Sequence, residues 1–158
     1  MYFTMTVFTQ ILHLLEEKHL KYSVLEHDFV HHAEEAANVR GTKLEEAAKA
    51  IVVKYNKDDF AMIVVSGHKR IDLKRLKQIL NTKNACLASP DDVLKTTGLK
   101  IGSVPPFGNL FGLKTFADKL VVEQEKVVFS AGSHYKSIIM QSKDWREAAE
   151  AVIEDFSK

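Results

Sequence analysis

One cysteine, Cys86, stands in a chain of 158 residues. That excludes an intrachain disulfide and any multi-cysteine zinc or iron-sulfur site. Proline is nearly as scarce, at three, and two of the three are adjacent at Pro105-Pro106, so constrained backbone is concentrated in one place. Neither sign of charge predominates: 22 Lys+Arg against 21 Asp+Glu leave a formal net charge of +1. A wholesale electrostatic grip on long nucleic acid is therefore not expected, and any RNA contact should use a local patch. No apolar run approaches the length of a membrane span, and the start MYFTMTVFTQ lacks the basic region and long apolar stretch of a secretory signal. These absences lead to the expectation of a soluble, cytoplasmic protein that does not engage a membrane. A 46% apolar composition supplies the core of one domain of this length, expected to span residues 1–158 without repeats or linkers.

What is present is a succession of short elements. Phe8, Ile11, Leu12 and Leu15 recur at helical spacing, predicting an amphipathic helix over Thr6–Lys18. Lys21–Leu25 reads as a strand, and His32–Val39, followed by Gly41, as a short helix. Thr42 with Glu45 has capping-box spacing, which opens a further turn and leaves Lys49 at a helix-to-strand junction. The runs Ala50–Val53 and Phe60–Val65, broken at Asp58-Asp59, predict a hairpin buried on both faces at the centre of a sheet. Asp72 can cap a helix over Leu73–Leu80, and Ser89-Pro90-Asp91-Asp92 starts another that Gly98 stops. From Gly98 to Gly112 runs an ordered loop with four glycines. Phe116–Val122, Lys126–Phe129 and Ser137–Met140 read as strands, and Ser142 as the cap of a last helix carrying Trp145, Ala148, Ala149, Val152 and Ile153. The fold class expected is α/β or α+β, with a mixed rather than doubly wound sheet.

Several residues could carry chemistry, and each has a plainer alternative. Lys49 lies among Ala47, Ala48, Ala50 and Ile51, where small neighbours could leave an ammonium half enclosed, ready to hold a phosphate or polarise a carbonyl; the alternative is a solvated lysine. The loop Gly102-Ser103-Val104-Pro105-Pro106 is either a rigid turn or a backbone cradle for a ligand, and it lacks the spacing of a nucleotide fingerprint. Ala131, Gly132 and Ser133 form a small-residue turn. Ser133 and His134 are adjacent without a nucleophile elbow, which favours positioning or turn stability over a Ser-His nucleophile. His27, His31 and His32 lack a metal framework, so hydrogen-bonded or surface histidines are expected and no metal or other cofactor is assigned. Cys86, with no close basic neighbour, reads as an inert semi-buried thiol. Lys69, Arg70, Lys74, Arg75 and Lys77 make the densest basic run, either a solvated face or a contact for tRNA phosphates.

Taken in order, AAKAIVVK at 47–54, VVSGHKRIDLKRLK at 64–77, LASPDDVLKTTG at 87–98, IGSVPPFG at 101–108 and FSAGSHYKSIIM at 129–140 resemble the YbaK/prolyl-tRNA-editing family. The resemblance covers nearly the whole chain, from about Tyr22 to Trp145. It implies a mixed, barrel-like sheet surrounded by short helices and a trans-acting aminoacyl-tRNA deacylase that hydrolyses the ester of a mischarged tRNA. The implied substrate is tRNA-Pro carrying a small amino acid such as Cys or Ala, and the implied partner beyond tRNA is a synthetase such as prolyl-tRNA synthetase. The family's essential lysine falls on Lys49, its G-x-x-x-P loop on Gly102–Pro106, and its small-residue turn on Ala131, Gly132 and Ser133. Backbone amides around Gly102 and Gly132 would then orient the aminoacyl group, and no role for His134 carries over. The competing reading is a non-catalytic tRNA- or nucleotide-binding module, or a regulatory protein attached to a synthetase.

Overall fold

In the computed structural model, which describes residues 5–29 and 33–158, the chain folds as a mixed α/β structure around two sheets. Helix α1 (Val7–Glu17) begins where the Thr6 hydroxyl accepts from the Thr9 amide, and it buries Ile11 and Leu15. Strand β1 (Tyr22–Glu26) follows, then helix α2 (Ala33–Arg40). A single 3-10 turn at Leu44–Glu46 leads into β2 (Ala48–Tyr55). The predicted capping box is displaced by one residue. The Glu46 carboxylate accepts from the Lys43 amide at 2.8 Å, while the Thr42 hydroxyl is buried without a hydrogen-bond partner among the described residues.

The central hairpin is as expected. β2 pairs antiparallel with β3 (Asp59–Ser66), Lys49 lying opposite Val65 and Ile51 opposite Ile63. Helix α3 (Leu73–Ile79) is capped by Asp72, whose carboxylate accepts from the amides of Lys74 and Arg75. Helix α4 (Pro90–Thr97) starts at Ser89 and stops at Gly98. Between them the short strand β4 (Ala85–Leu87) pairs with the far end of β2, a strand that the sequence reading passed over. Cys86 is in consequence exposed on an edge strand rather than semi-buried.

Two later expectations are corrected. Phe116–Val122 is not one strand: β5 (Thr115–Asp118) ends where the Asp118 carboxylate accepts from the Leu120 amide and opens α5 (Lys119–Glu123). After β6 (Lys126–Ser130) and β7 (Lys136–Gln141), the last helix, α6 (Ser142–Ala149), stops at Glu150, which takes a left-handed conformation with φ of 52°. Val152 and Ile153 lie beyond it in β8 (Val152–Glu154), parallel to β5. Asp118 explains this course. It is fully buried, and besides Leu120 it accepts from the amides of Phe156 and Ser157 at 2.8 and 3.0 Å and from the Ser157 hydroxyl at 2.9 Å. One carboxylate thus draws the C-terminal segment back beside β5.

Among the described residues the strands form one sheet in the order β1-β7-β6 and another in the order β4-β2-β3-β5-β8, not a closed barrel. A parallel bridge between Ala47 and Val128 links them. The main core lies between the sheets, where Ile11, Met62, Val64, Phe107, Phe129, Ile138 and Trp145 pack together. A second core on the other face of β2-β3 gathers Val53, Ile63, Val65, Ile71, Leu76 and Phe116. No helix among the described residues is long and apolar enough to cross a membrane.

Candidate functional site

Strand alternation decides which way the candidate side chains point. On β2, Ala48, Ala50 and Val52 pack into the main core, while Ile51 and Val53 pack into the second. Lys49 shares the parity of the latter pair. On β6, Val127 and Phe129 enter the main core, which turns Val128 and Ser130 the other way. From the parallel bridge between Ala47 and Val128 the two strands advance in the same direction, so Lys49 and Ser130 lie on one face, away from the main core. Ser137 joins them, since it pairs with Ser130 across the β6-β7 ladder.

Lys49 is half-buried, and its Nζ donates to the carbonyl oxygen of Lys69 at 2.9 Å. Burial pushes its pKa below the usual lysine value, and the neighbouring Arg70 charge pushes it the same way. It borders a depression of about 440 Å³ together with Glu34, Leu44, Gly67, His68, Lys69 and Arg70. Gly67 is required here by contact: a Cβ at that position would lie 2.5 Å from the Leu44 carbonyl oxygen and 2.9 Å from the Ala47 side chain. None of residues 102–106 or 131–133 lines this depression. A larger hollow of about 810 Å³ beside Leu20–Ser23 and Ile139–Gln141 contains none of the expected site residues.

The two other candidate segments are brought together. The Ser130 hydroxyl donates to the Gly102 carbonyl at 3.0 Å, and the Gly132 amide donates to the Ser103 carbonyl. The loop is mostly a buried frame: Ser103, Val104, Pro105 and Pro106 are buried and only Gly102 is exposed. The Pro106 carbonyl accepts from the Trp145 indole at 3.1 Å, which ties the loop to α6. Because the amides of Ala131 and Gly132 already donate to Lys136 and Ser103, they are not open donors for a substrate. Of the two glycines expected to orient the substrate, Gly102 is the one left exposed. That glycine has φ of 93°, and a Cβ would lie 3.0 Å from His134 Nε2. His134 Nε2 in turn lies 3.1 Å from the Ile101 carbonyl, and Phe29 stacks on the imidazole at 4.5 Å. The Ser133 hydroxyl accepts from the Tyr135 amide, a turn-stabilising contact rather than a link to His134.

The basic run is divided by the fold. Lys69 and Arg70 line the Lys49 depression. Arg75 is held by Asp155 at 3.2 Å and Asp72 at 3.7 Å, and Lys74 is exposed on α3. Of the histidines, His31 and His32 lie outside the described residues. His27 reaches the Ser137 hydroxyl through Nε2 at 2.7 Å and the Asp28 carbonyl through Nδ1 at 2.8 Å. A carbonyl only accepts, so Nδ1 carries the proton, and in the neutral ring Nε2 accepts from Ser137.

Sequence reasoning passed over Arg40, Ser130 and Ser137. The Arg40 guanidinium donates from Nε to the Ser137 hydroxyl at 2.8 Å and from Nη2 to the Ser130 hydroxyl at 3.3 Å. Burial pushes its pKa down to about 10. These partners are 97 and 90 residues away in sequence, and no local pattern announces them.

Comparison with known proteins points in one direction. Residues 27–148 match the profile of a family described as an aminoacyl-tRNA editing domain. An Escherichia coli (strain K12) protein named multifunctional Ser/Thr-tRNA deacylase ProXp-y is 29% identical over 153 residues, covering 94% of this chain and 92% of its own length. Proline–tRNA ligase of Fervidobacterium nodosum is 33% identical over 89 residues, 56% of this chain and 15% of the ligase. The crystal structure of a candidate trans-editing enzyme for prolyl-tRNA synthetase shares the fold, with a TM-score of 0.83 at 24% identity and 99% of each chain covered.

Proposed function

Because the chain belongs to the aminoacyl-tRNA editing domain family, we propose that it clears small amino acids from mischarged tRNA, with Lys49 as its catalytic cation and residues 1–158 acting as one editing domain. The chain is an aminoacyl-tRNA deacylase, an ester hydrolase of translational quality control. The observation that carries the assignment to Lys49 is its setting: a half-buried ammonium held by the neutral Lys69 carbonyl, with no carboxylate in ion-pair contact among the described residues.

An aminoacyl ester is already activated, so the protein needs mainly to position it and to stabilise the charge that develops. Water adds to the ester carbonyl carbon, negative charge gathers on the carbonyl oxygen, and the bond to the ribose oxygen breaks as that oxygen takes up a proton. Lys49 retains N–H donors beyond the one given to Lys69, and these stabilise the oxyanion. Gly102, whose carbonyl is held by Ser130, presents backbone that a side chain would block. Lys69 and Arg70, at the mouth of the Lys49 depression, meet tRNA phosphates; Lys74 is a more distant contact, and Arg75 contributes less because its charge is already paired.

Selection would rest on pocket volume, which separates small side chains only modestly. The likeness to a Ser/Thr-tRNA deacylase sets seryl and threonyl esters beside the cysteinyl and alanyl esters of tRNA-Pro as substrates. Kinship with part of proline–tRNA ligase supports joint action with such a synthetase in the cytoplasm. The test is a deacylation panel of cysteinyl-, alanyl-, seryl- and threonyl-tRNA, with and without prolyl-tRNA synthetase. Hydrolysis of at least one member is expected. Binding without hydrolysis in every combination would leave a non-catalytic tRNA-binding module.

A further inference from the structure

Arg40 is a mostly buried cation whose hydrogen-bond partners among the described residues are two hydroxyls. Buried charges are ordinarily paired, because desolvation is otherwise uncompensated. No carboxylate lies within ion-pair distance of Arg40 among the described residues, and serine hydroxyls do not neutralise it. Of the five N–H donors of a guanidinium, Nε and one on Nη2 are engaged. The seat is also built in place. Ser137 is fully buried, it is held by His27, and the Ser130 hydroxyl donates a hydrogen bond to the Gly102 carbonyl. The remaining donors therefore form a fixed fork beside Gly102, on the face that also carries Lys49.

We propose that Arg40, seated on Ser130 and Ser137, binds a phosphodiester of the substrate's 3′ end. A guanidinium fork matches two phosphate oxygens, and an ester on the terminal ribose lies one nucleoside from the last phosphodiester. The inference rests on the deacylase reading for the identity of that phosphate. It divides the labour of the two cations: Arg40 takes the backbone phosphate, which leaves Lys49 for the ester carbonyl.

The test uses an acceptor-stem RNA hairpin ending in CCA, made with either a phosphodiester or an uncharged methylphosphonate at its last linkage. Binding is measured for the native protein, Arg40→Gln and Arg40→Lys, with inorganic phosphate as competitor. The native protein is expected to prefer the phosphodiester by about tenfold, Arg40→Gln to lose that preference, and Arg40→Lys to keep part of it. Competition by phosphate that removes the preference agrees with a site for the phosphate group. No preference in the native protein, no binding of either hairpin, or a full preference surviving in Arg40→Gln overturns the proposal. Deacylation by the same native preparation separates the two readings. Hydrolysis without the preference removes only the phosphate site, and an Arg40-dependent preference without hydrolysis removes only the deacylase reading.

Discussion

The Nζ of Lys49 and the carbonyl oxygen of Lys69 lie 2.9 Å apart, so the ammonium is fixed by a neutral acceptor. Burial and the charge of Arg70 lower its pKa from the ordinary value of 10.5. Folding therefore weakens the hold of Lys49 on its proton. Its charge opposes stability in full below the lowered folded value, and the opposition fades as pH rises from there toward 10.5. With Lys49 as the proposed catalytic cation, activity should run the other way, because the ammonium is lost over the same window. After subtraction of uncatalysed ester hydrolysis, the rate should fall on the alkaline side before pH 10.5. Arg70→Gln should move that limb upward; a limb that ignores Arg70→Gln contradicts the coupling.

Gly102 and Gly98 both have positive φ, but only Gly102 has a neighbour close to the missing Cβ. Gly98→Ala should cost stability alone, about 1 kcal/mol, with deacylation unchanged. Gly102→Ala should lower deacylation more than tenfold in addition to a comparable loss of stability. Thermal melts and initial rates on the two variants make the comparison, and equal rates would remove Gly102 from the substrate surface.

Asp118 gathers four donors in a fully buried position. Asp118→Ala leaves the amides of Phe156 and Ser157 without their acceptor and should destabilise the protein by about 3 kcal/mol. Denaturant melts test this. Because the segment that Asp118 holds pairs with Arg70 through Lys158, the overall deacylation rate should fall with stability, while the relative rates on the tRNA panel stay the same.

Cys86 is exposed on β4. Iodoacetamide should alkylate the folded protein once, as read by mass spectrometry, with no change in deacylation. A proportional loss of activity would place β4 within the substrate's reach.

Elements with strong local signals were legible in the sequence. Ser89-Pro90 starts α4 and Gly98 ends it, Asp72 caps α3, and the β-branched runs around Asp58-Asp59 make the central hairpin. The misreadings share a cause, in that tertiary contacts overrode local pattern. Val121 and Val122 suit a strand, yet Asp118 caps a helix there because the same carboxylate binds Phe156 and Ser157. The short strand β4 has three residues and exists through its pairing with β2, so periodicity could not reveal it.

The site was legible in part. Lys49 and the segments at 102–106 and 131–133 were singled out by composition and given roles by the family resemblance; the structure brings the two segments together through Ser130 and Gly132, but neither lines the Lys49 depression. The internal commitment of the Gly132 amide was not readable, because its acceptor, Ser103, belongs to the other segment. Arg40 was invisible for the same reason. A lone arginine at the end of a short helix has no pattern, and its meaning arises from two serines on distant strands.

The most direct test of the account is the deacylation rate of Lys49→Ala beside the native protein, on whichever mischarged tRNA the native protein hydrolyses fastest. Circular dichroism would confirm that both are folded. The account predicts a fall of about a hundredfold or more, the scale of losing one charge-stabilising donor. A folded Lys49→Ala protein that deacylates at the native rate would contradict it.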